Sequence, residues 1–204
     1  MAAVHNSLEK KLIEARRTLH QYPELSHEEY KTTERRRVAM EIKELTEISE
    51  FREELAILFQ TVVADGASMN YLHPMSKETA LSYWDSVLSE QVRLYIGLLD
   101  GEIAGTVQLH YSDKENGRHR AEVAKLMTST KARRKGVARK LLQHAEQAAK
   151  SDGKTLLLLD TEKEGPANLL YQSEGYVLFG EVPDFAQDAF GTFLAGNFYY
   201  KLIG

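Results

Sequence analysis

The sequence predicts a mixed α/β fold, in which a central β-sheet has helices on its faces. Segments with helical and with extended periodicity alternate from residue 38 onward, which argues against a helical bundle or a β-sandwich. An Asp-Gly turn at residues 100–101 joins two apolar stretches into a β-hairpin. The chain has 204 residues, of which 43% are hydrophobic and 27% charged, a composition typical of a globular protein.

The first 37 residues predict a helical appendage that precedes a domain of residues 38–204. Apolar residues at helical spacing from Leu8 to Leu19 indicate a first short helix, which ends before Pro23. Ser26 followed by Glu29 is a capping box, so we expect a second helix to begin there. This helix would end at the three arginines of residues 35–37, whose charge suits a helix C-terminus.

The remaining elements follow from periodicity and from the Gly, Pro, Asn and Asp residues that separate them. The helical stretches are Phe51–Val63, a segment that begins at the N-cap Ser76, a segment from about Gly136, and Ala167–Ser173. The extended stretches are Val38–Leu45, Val92–Leu99, Ile103–Tyr111, Ala121–Thr128, Leu156–Leu159, Tyr176–Val182 and Phe193–Leu202. The continuous apolar run Leu156–Leu159 predicts a strand buried on both faces.

Charge and cysteine content exclude several classes of function. The net charge is −4, so no overall positive field attracts nucleic acid or an anionic membrane. The absence of cysteine excludes disulfides, thiolate metal sites and a cysteine nucleophile. The charged N-terminus lacks the apolar core of a secretory signal, and the longest apolar run, Leu55–Phe59, is far shorter than a membrane span. We therefore expect a cytoplasmic protein with neither nucleic acid nor membrane as partner.

One short segment has a strong local charge. Residues 131–140 read KARRKGVARK, with six cations and no acid, between a predicted strand and a predicted helix. Free backbone N–H groups at the start of a helix attract anions, and Gly136 lets a phosphate approach the backbone. A solvated basic loop is the alternative interpretation. The segment has no P-loop pattern, and no aromatic residue separates its cations as in many single-strand binders.

The same segment resembles a known family. Arg133-x-x-Gly136-x-Ala138, between strand and helix, matches the (Q/R)xxGx(G/A) signature of the GCN5-related N-acetyltransferases (GNATs), and NLLYQSEGYV resembles their closing tyrosine motif. The stretches GASMNYL, HRAEVAKLM, LLLLDTE and FGEVPDF are similar to the tabtoxin-resistance acetyltransferases of that superfamily. The resemblance covers residues 38–203. It implies a mostly antiparallel sheet and acetyl-CoA as cosubstrate.

The resemblance assigns the cofactor-binding residues. The backbone amides of residues 134–138 would hold the pyrophosphate, and Arg133 with its cationic neighbours would balance the charge. The strand around Leu126 would pair with the pantetheine arm, and the Leu126 N–H would polarise the thioester carbonyl. The implied residues are Leu126, Met127, Thr128, Arg133, Arg134, Lys135, Gly136, Val137 and Ala138. An Asn that many members have seven residues before the tyrosine is replaced here by Glu164.

Two residues are implied to be catalytic. Glu122 would remove the proton of the attacking amine, and Tyr171 would protonate the departing thiolate. Because the chain has no cysteine, we expect direct transfer in a ternary complex. Alternatively, Glu122 could pair with Lys125 or His119, and Tyr171 could simply pack on the sheet.

The predicted acceptor site lies at loops and strand ends. Asp160 follows the buried strand, where it could bind a substrate ammonium or cap the next loop. The loop of residues 66–71, with Ser68 and Asn70, and the hairpin ends should determine specificity. In the segment 183–190, acidic and aromatic residues could frame a cationic amine or form a polar loop with two core anchors; these are Asp184, Phe185, Asp188 and Phe190.

The N-terminal segment resembles a different family. The segment around residues 12–31, with the stretch ARRTLHQYPELSHEEYKTTE at residues 15–34, is similar to the opening of the metal-dependent M20-type amidohydrolases related to hippurate hydrolase. The metal ligands of that family lie beyond such a segment, and His5, His20 and His27 lack ligand spacing. We therefore expect no metal site. The segment could serve as a packing element or in a homodimer.

These observations together predict an acetyl-CoA-dependent N-acetyltransferase that acts on a small-molecule amine, including an antibiotic- or toxin-resistance activity on an amino acid-like β-lactam. Two alternatives are a non-catalytic acyl-CoA-binding module, which would bind the cofactor without turnover, and a protein or peptide N-acetyltransferase, which needs an open groove. A vestigial hydrolase is the weakest alternative, since its metal ligands are missing from the sequence.

Overall fold

The computed structural model describes residues 40–204, which form a sheet with helices on both faces. Its elements are β1 (Glu41–Leu45), α1 (Arg52–Ala64), α2 (Lys77–Val87), β2 (Val92–Leu99), β3 (Glu102–Tyr111), β4 (Arg120–Thr128), α3 (Val137–Ser151), β5 (Leu156–Glu162), α4 (Ala167–Ser173), β6 (Val177–Gln187) and β7 (Phe193–Leu202). The predicted fold class is confirmed. The predicted N-terminal appendage, residues 1–37, lies outside the described residues.

The seven strands lie in the order β1-β2-β3-β4-β5-β7-β6. Neighbouring strands are antiparallel except for β4 and β5, which run parallel. This parallel pairing extends only over residues 120–122 of β4 and 156–158 of β5. Beyond it the two strands lose their ladder, so their C-terminal halves diverge and open a cleft in the middle of the sheet.

Local signals explain where the elements begin and turn. The Ser76 hydroxyl accepts a hydrogen bond from the Thr79 N–H and so caps the first turn of α2. Asp100 and Gly101 both have positive φ, 54° and 82°, as a two-residue hairpin turn between β2 and β3 requires. Both features follow the sequence prediction.

Each face of the sheet has its own hydrophobic cluster. On one face α1 and α2 pack around Phe59 and Trp84, against strand residues such as Ile96. On the other face α3 and α4 cover a cluster that includes Leu141 and Tyr199. The alternation of side chains along each strand divides the apolar residues between the two clusters.

Two predictions differ from the structure. Leu157 and Leu159 are buried under α3, but Leu156 and Leu158 are only half-buried, because the cluster of α1 and α2 contains no β5 residue. The predicted burial of this strand on both faces was therefore wrong. The predicted loop 183–190 is largely strand, since β6 continues to Gln187.

Candidate active site

The cleft lies where β4 and β5 diverge and has a volume of about 510 Å³. Its walls come from the loop after α1, from β4 and β5, from the start of α4, and from β6 and β7. Several residues that the sequence singled out line it together: Ser68, Asn70, Glu122, Leu126, Arg133, Asp160 and Tyr171. The topology thus brings residues from opposite ends of the domain to one place.

A β-bulge interrupts β4 at the cleft. Thr106 of β3 pairs with Met127, and Gln108 pairs with Ala124, so that Lys125 and Leu126 together lie opposite one residue of β3. Lys125 has a φ of 48°, and its carbonyl accepts a hydrogen bond of 3.0 Å from the Thr106 hydroxyl. A bulge leaves its extra residue outside the ladder. The predicted role of the Leu126 N–H, a residue of this bulge, stays a prediction.

The N-terminus of α3 has the features of an anion-binding site. Gly136 is the N-cap and has a φ of 79°, and Arg134 also lies in the left-handed region, at 62°. No heavy atom lies within 4 Å of the position that a Cβ on Gly136 would take, so the backbone is open on this side. The first-turn N–H groups, at Val137 and Ala138, have no partner within the helix. No acidic residue stands in that turn.

These features fit the phosphates of a coenzyme A molecule. The loop of residues 131–136 leads from the end of β4, where Met127 and Thr128 lie, to the helix N-terminus. From the sequence we expected Arg133 to balance the charge of the phosphates. Its guanidinium instead forms an ion pair with Asp65 at the end of α1. That pair joins the basic loop before α3 to the end of α1, where the loop of residues 66–70 that lines the cleft begins. Charge balance at the phosphates would then depend more on Lys131, Arg134 and Lys135, which are exposed.

Glu122 and Asp160 lie on neighbouring strands at the point of divergence. Glu122 pairs with Leu158, and Asp160 stands two residues further along β5, on the same face. The side chains are open to the cleft, yet its walls displace much of the surrounding water. This burial raises the pKa of both carboxyls, and the charge of Asp160 raises the pKa of Glu122 further. The nearby ammonium of Lys125 acts in the opposite direction on both.

The alternative role for Glu122 was a pairing with Lys125 or His119. Within residues 40–204 Glu122 forms no ion pair. The Lys125 ammonium instead donates to the Met69 carbonyl at 3.0 Å. The carboxylate of Glu122 is thus left available for a ligand in the cleft.

Tyr171 borders the cleft from α4. Its ring packs at 5.8 Å from Tyr176 and 5.9 Å from Tyr199, measured between ring centroids. Burial, and secondarily the charge of Asp160, raise the pKa of its phenol. The hydroxyl therefore stays protonated at neutral pH, which is the state that a proton donor needs. The packing role and the catalytic role are compatible, since the ring serves one and the hydroxyl the other.

The remaining predicted acceptor residues have structural partners. The Ser68 hydroxyl donates to the Gln187 carbonyl at 3.1 Å and joins the 66–71 loop to β6. Asn70 has a φ of 65° in that loop. The Asp188 carboxylate accepts hydrogen bonds from the N–H groups of Phe190 and Thr192, so it stabilises the β6–β7 turn.

The two aromatic residues of the segment 183–190 were expected as core anchors or as walls of the site. They are not core residues, because Phe185 is 44% exposed and Phe190 is 65% exposed. Phe185 lines the cleft and packs edge-on against Phe198, at a centroid distance of 4.8 Å. A bulge with Asp184 at a φ of 51° sets its position, and its ring covers Gly196.

Sequence reasoning missed a buried asparagine. The Asn168 amide donates to the carbonyls of residues 162, 163 and 165, and its oxygen accepts from Asn197 and from the Tyr199 hydroxyl. These bonds order the loop between β5 and α4, which borders the cleft. The signal in the sequence was an amide residue on the buried side of a short helix. Glu164 lies in the same loop, but its side chain is exposed and therefore does not order the loop as the buried Asn168 does.

Two polar residues inside strands were also missed. Gln108 is fully buried and bonds to the Tyr83 hydroxyl and to His110, at 2.9 Å and 2.8 Å. Lys125 stands in β4 between apolar neighbours, with Val123 and Ala124 before it and Leu126 and Met127 after it. A polar side chain at an inward position of a strand is unusual, and that irregularity was visible in the sequence.

Other kinds of site have no support in the described region. In residues 40–204, His, Asp and Glu side chains form no group of three or more that could hold a metal ion. No helix described in the structure has the length and apolar character that crossing a membrane requires.

Comparison with known proteins identifies relatives of this fold and sequence. The sequence model of the acetyltransferase (GNAT) family matches residues 52–176, more than half of the chain. An uncharacterised N-acetyltransferase from the hisH-hisA intergenic region of Azospirillum brasilense is 35% identical over 105 residues. That match covers 50% of this chain and 62% of the relative, less than two thirds of its length.

Solved structures share the fold at low sequence identity. A ribosomal-protein-alanine N-acetyltransferase from Brucella melitensis is 19% identical, with a TM-score of 0.68 over 79% of this chain and 99% of that one. A protein from Salmonella typhimurium, solved with its cofactor acetyl-CoA, is 17% identical, with a TM-score of 0.68 over 81% and 95% of the two chains. The predicted resemblance to the GNAT family is therefore confirmed, and with it acetyl-CoA as the cosubstrate of the family. The finer likenesses, to tabtoxin-resistance acetyltransferases and to M20-type amidohydrolases, stay predictions.

Proposed function

The chain belongs to the acetyltransferase (GNAT) family, and from this premise we propose that it transfers the acetyl group of acetyl-CoA to the amine of a small molecule. The observation that favours this function is the cleft between β4 and β5. Glu122, Asp160 and Tyr171 line this cleft together with Arg133, a residue of the cation-rich loop that precedes α3. An acyl donor held by its phosphates at α3 and an amine held by the carboxylates would meet there.

Each residue has a role that its surroundings support. An amine reaches the cleft mainly as an ammonium, and Glu122 takes one proton from it. Bound acetyl-CoA supplies the activated acetyl group. The amine nitrogen bonds to the acetyl carbon as the carbon–sulfur bond breaks, and Tyr171 gives the sulfur a proton. The tyrosine regains its proton from the nitrogen through solvent, and Glu122 releases to solvent the proton that it took from the ammonium. The products are an N-acetylated amine, the free thiol and one proton.

The size of the cleft favours a small acceptor. The 66–71 loop and Phe185 bound it on the acceptor side, and a volume of about 510 Å³ is in the range of small-molecule sites. Within this class we propose a β-lactam amino acid of the tabtoxin type as one specific acceptor, on the similarity of the stretches around residues 66–72 and 180–185. We also expect a cytoplasmic enzyme, because acetyl-CoA is available in that compartment. A homodimer stays a prediction.

Thiol release from acetyl-CoA tests the proposal. Since the chain has no cysteine, a thiol reagent reports only free coenzyme A, without a signal from the protein. The panel comprises amino acids, a tabtoxin-type β-lactam, polyamines, aminoglycosides and short peptides. We expect release with a small amine. Release with peptides alone would indicate a protein N-acetyltransferase, and tight acetyl-CoA binding without any release would indicate a binding module.

A further inference from the structure

Lys125 has an unusual position for a lysine. It lies on the β4 bulge with a φ of 48°, and its side chain enters the cleft beside Glu122 and Asp160. Its ammonium lies 5.9 Å from the centre of the Tyr83 ring and donates to the Met69 carbonyl at 3.0 Å. The residue is half-buried, and this burial lowers its pKa.

The ammonium of Lys125 is incompletely paired. An ammonium has three N–H donors, and the structure gives this one a single hydrogen-bond acceptor among the described residues. No carboxylate of residues 40–204 lies within 4.0 Å of its nitrogen, although Glu122, Asp160 and also His110 lie near enough for electrostatic coupling. A partly desolvated cation with unused donors is stabilised by an anionic ligand.

The other cation of the cleft differs in this respect. Arg133 is neutralised by its ion pair with Asp65. Among the described residues that line the cleft, Lys125 is therefore the cation without an ion pair, and it is available to a ligand on the acceptor side. Glu122 and Asp160 offer negative groups close to it.

This juxtaposition of charges matches a zwitterion. We propose that the acceptor is an α-amino acid or a close analogue, whose carboxylate binds the Lys125 ammonium while its amine faces Glu122 and Asp160. The inference rests on the proposed acetyl transfer and names the acceptor class for it. The amine then lies beside the proton acceptor, and the carboxylate fixes its orientation.

Matched acceptors test the proposal with the wild-type enzyme. Alanine, leucine and phenylalanine are each compared with the corresponding amide and with the decarboxylated amine in the thiol-release assay. We expect kcat/KM to be about 10- to 100-fold higher for the free amino acid, the range of a charged hydrogen bond. The amide has the more acidic ammonium and more free amine near neutral pH, so reactivity alone would favour the amide. Equal or better use of amides and simple amines would overturn the proposal.

Substitution of the lysine gives a second test. Within the Lys125→Met enzyme, the free amino acid should lose its advantage over the matched amide and simple amine, because its KM rises relative to theirs. Lys125→Arg should retain part of the preference. Lys154→Met is the matched control, because Lys154 also bonds to a backbone carbonyl and lies over a tyrosine ring, but outside the cleft. A Lys125→Met enzyme that keeps the full preference would contradict the assigned role.

A binding measurement separates this proposal from the proposed reaction. If no amine gives thiol release, acetyl transfer to these amines fails, and calorimetric titration of leucine, leucinamide and 3-methylbutylamine into the protein saturated with coenzyme A decides the acceptor class. Tighter binding of leucine that is lost in Lys125→Met supports the carboxylate site. Equal binding of the three compounds, or no binding of leucine, rejects it.

Discussion

Burial raises the pKa of two side chains in the cleft, Tyr171 and Glu122, with a different consequence for each. The raised pKa of Tyr171 keeps a proton available for donation, whereas the raised pKa of Glu122 makes its carboxylate a better proton acceptor. Asp160 contributes to both shifts through its charge. Groups of this kind, close together in a cleft, are typical of an active site.

Removal of the Tyr171 hydroxyl should affect turnover and not cofactor affinity. We expect Tyr171→Phe to lower kcat by ~10²–10⁴, the usual contribution of a general acid. Acetyl-CoA affinity, measured by calorimetry, should stay the same, because the ring still packs on Tyr176 and Tyr199. Tyr95→Phe is the control, since Tyr95 is a buried tyrosine outside the cleft. Equal rates in the two variants would exclude a catalytic role for the hydroxyl.

The ionisation of Glu122 should be visible in the pH dependence of kcat/KM. The carboxylate accepts a proton only when it is ionised, so kcat/KM should rise with pH as Glu122 loses its proton. Because its pKa is raised above the ordinary 4.5, this rise should extend to a higher pH than an unperturbed glutamate would give. Glu122→Gln should be slower and should lack that part of the profile. Glu102→Gln, at the exposed hairpin turn, should keep it. An unchanged profile in Glu122→Gln would assign the proton to another acceptor.

At the scale of the elements, helix α3 has a glycine near each end, and the glycine at the C-terminal end is a control for substitutions of the one at the N-terminal end. Gly136 precedes the helix and Gly153 follows it, and both have a left-handed backbone, at 79° and 72°, with open space around the Cβ position. A side chain at either position therefore costs a similar ~1–2 kcal/mol of backbone strain. The two ends differ in function, because only the N-terminus presents free N–H groups and a positive dipole.

Glutamate at the two glycines should separate strain from cofactor binding. Gly136→Glu should abolish acetyl-CoA binding, because a carboxylate would occupy the anion-binding site. Gly153→Glu should lose a similar amount of thermal stability and still bind acetyl-CoA with wild-type affinity. Calorimetry and thermal unfolding measure the two quantities. Wild-type affinity in Gly136→Glu would reject the cofactor site.

The β6 bulge places the ring of Phe185 in the wall of the cleft, on the side where we propose that the acceptor binds. Phe185→Ala should raise the KM for the acceptor by roughly tenfold, since apolar contact with the acceptor is lost. The KM for acetyl-CoA should not change, because Phe185 belongs to β6, whereas the proposed phosphate contacts come from α3 and the loop before it. Phe193→Ala serves as the control, because that phenylalanine is 63% exposed and lies outside the cleft. A change in the KM for acetyl-CoA instead would place the ring on the donor side.

Across the whole molecule, local signals predicted the elements well. The hairpin turn at Asp100, the N-cap at Ser76, and the bounds of α4 and β7 agree with the structure, because each depends on neighbouring residues. The β6 strand was predicted too short. Its bulge contains a proline and an aspartate with positive φ, and these are ordinary loop signals.

The parts of the site that the sequence did not predict depend on distant pairings. The ion pair of Arg133 and Asp65 joins residues 68 positions apart, and the bond from Lys125 to Met69 spans 56. The register of β3 against β4 determines where the bulge lies. The periodicity of one strand does not contain this information, because the register depends on both strands. The family resemblance supplied the positions of Glu122 and Tyr171, whereas the cluster of cations at the start of a predicted helix indicated Gly136 without it.

The proposed reaction is tested most directly by measuring all three chemical species in one reaction. Acetyl-CoA and a single small amine are incubated with the enzyme, released thiol is followed with a thiol reagent, and the amine and its N-acetyl product are quantified by mass spectrometry. Acetyl transfer predicts equal amounts of thiol released, amine consumed and N-acetylated product formed, with none of the three in Gly136→Glu. Thiol release without an N-acetylated product, or acetyl-CoA binding with no reaction across the amine panel, would contradict the proposed function.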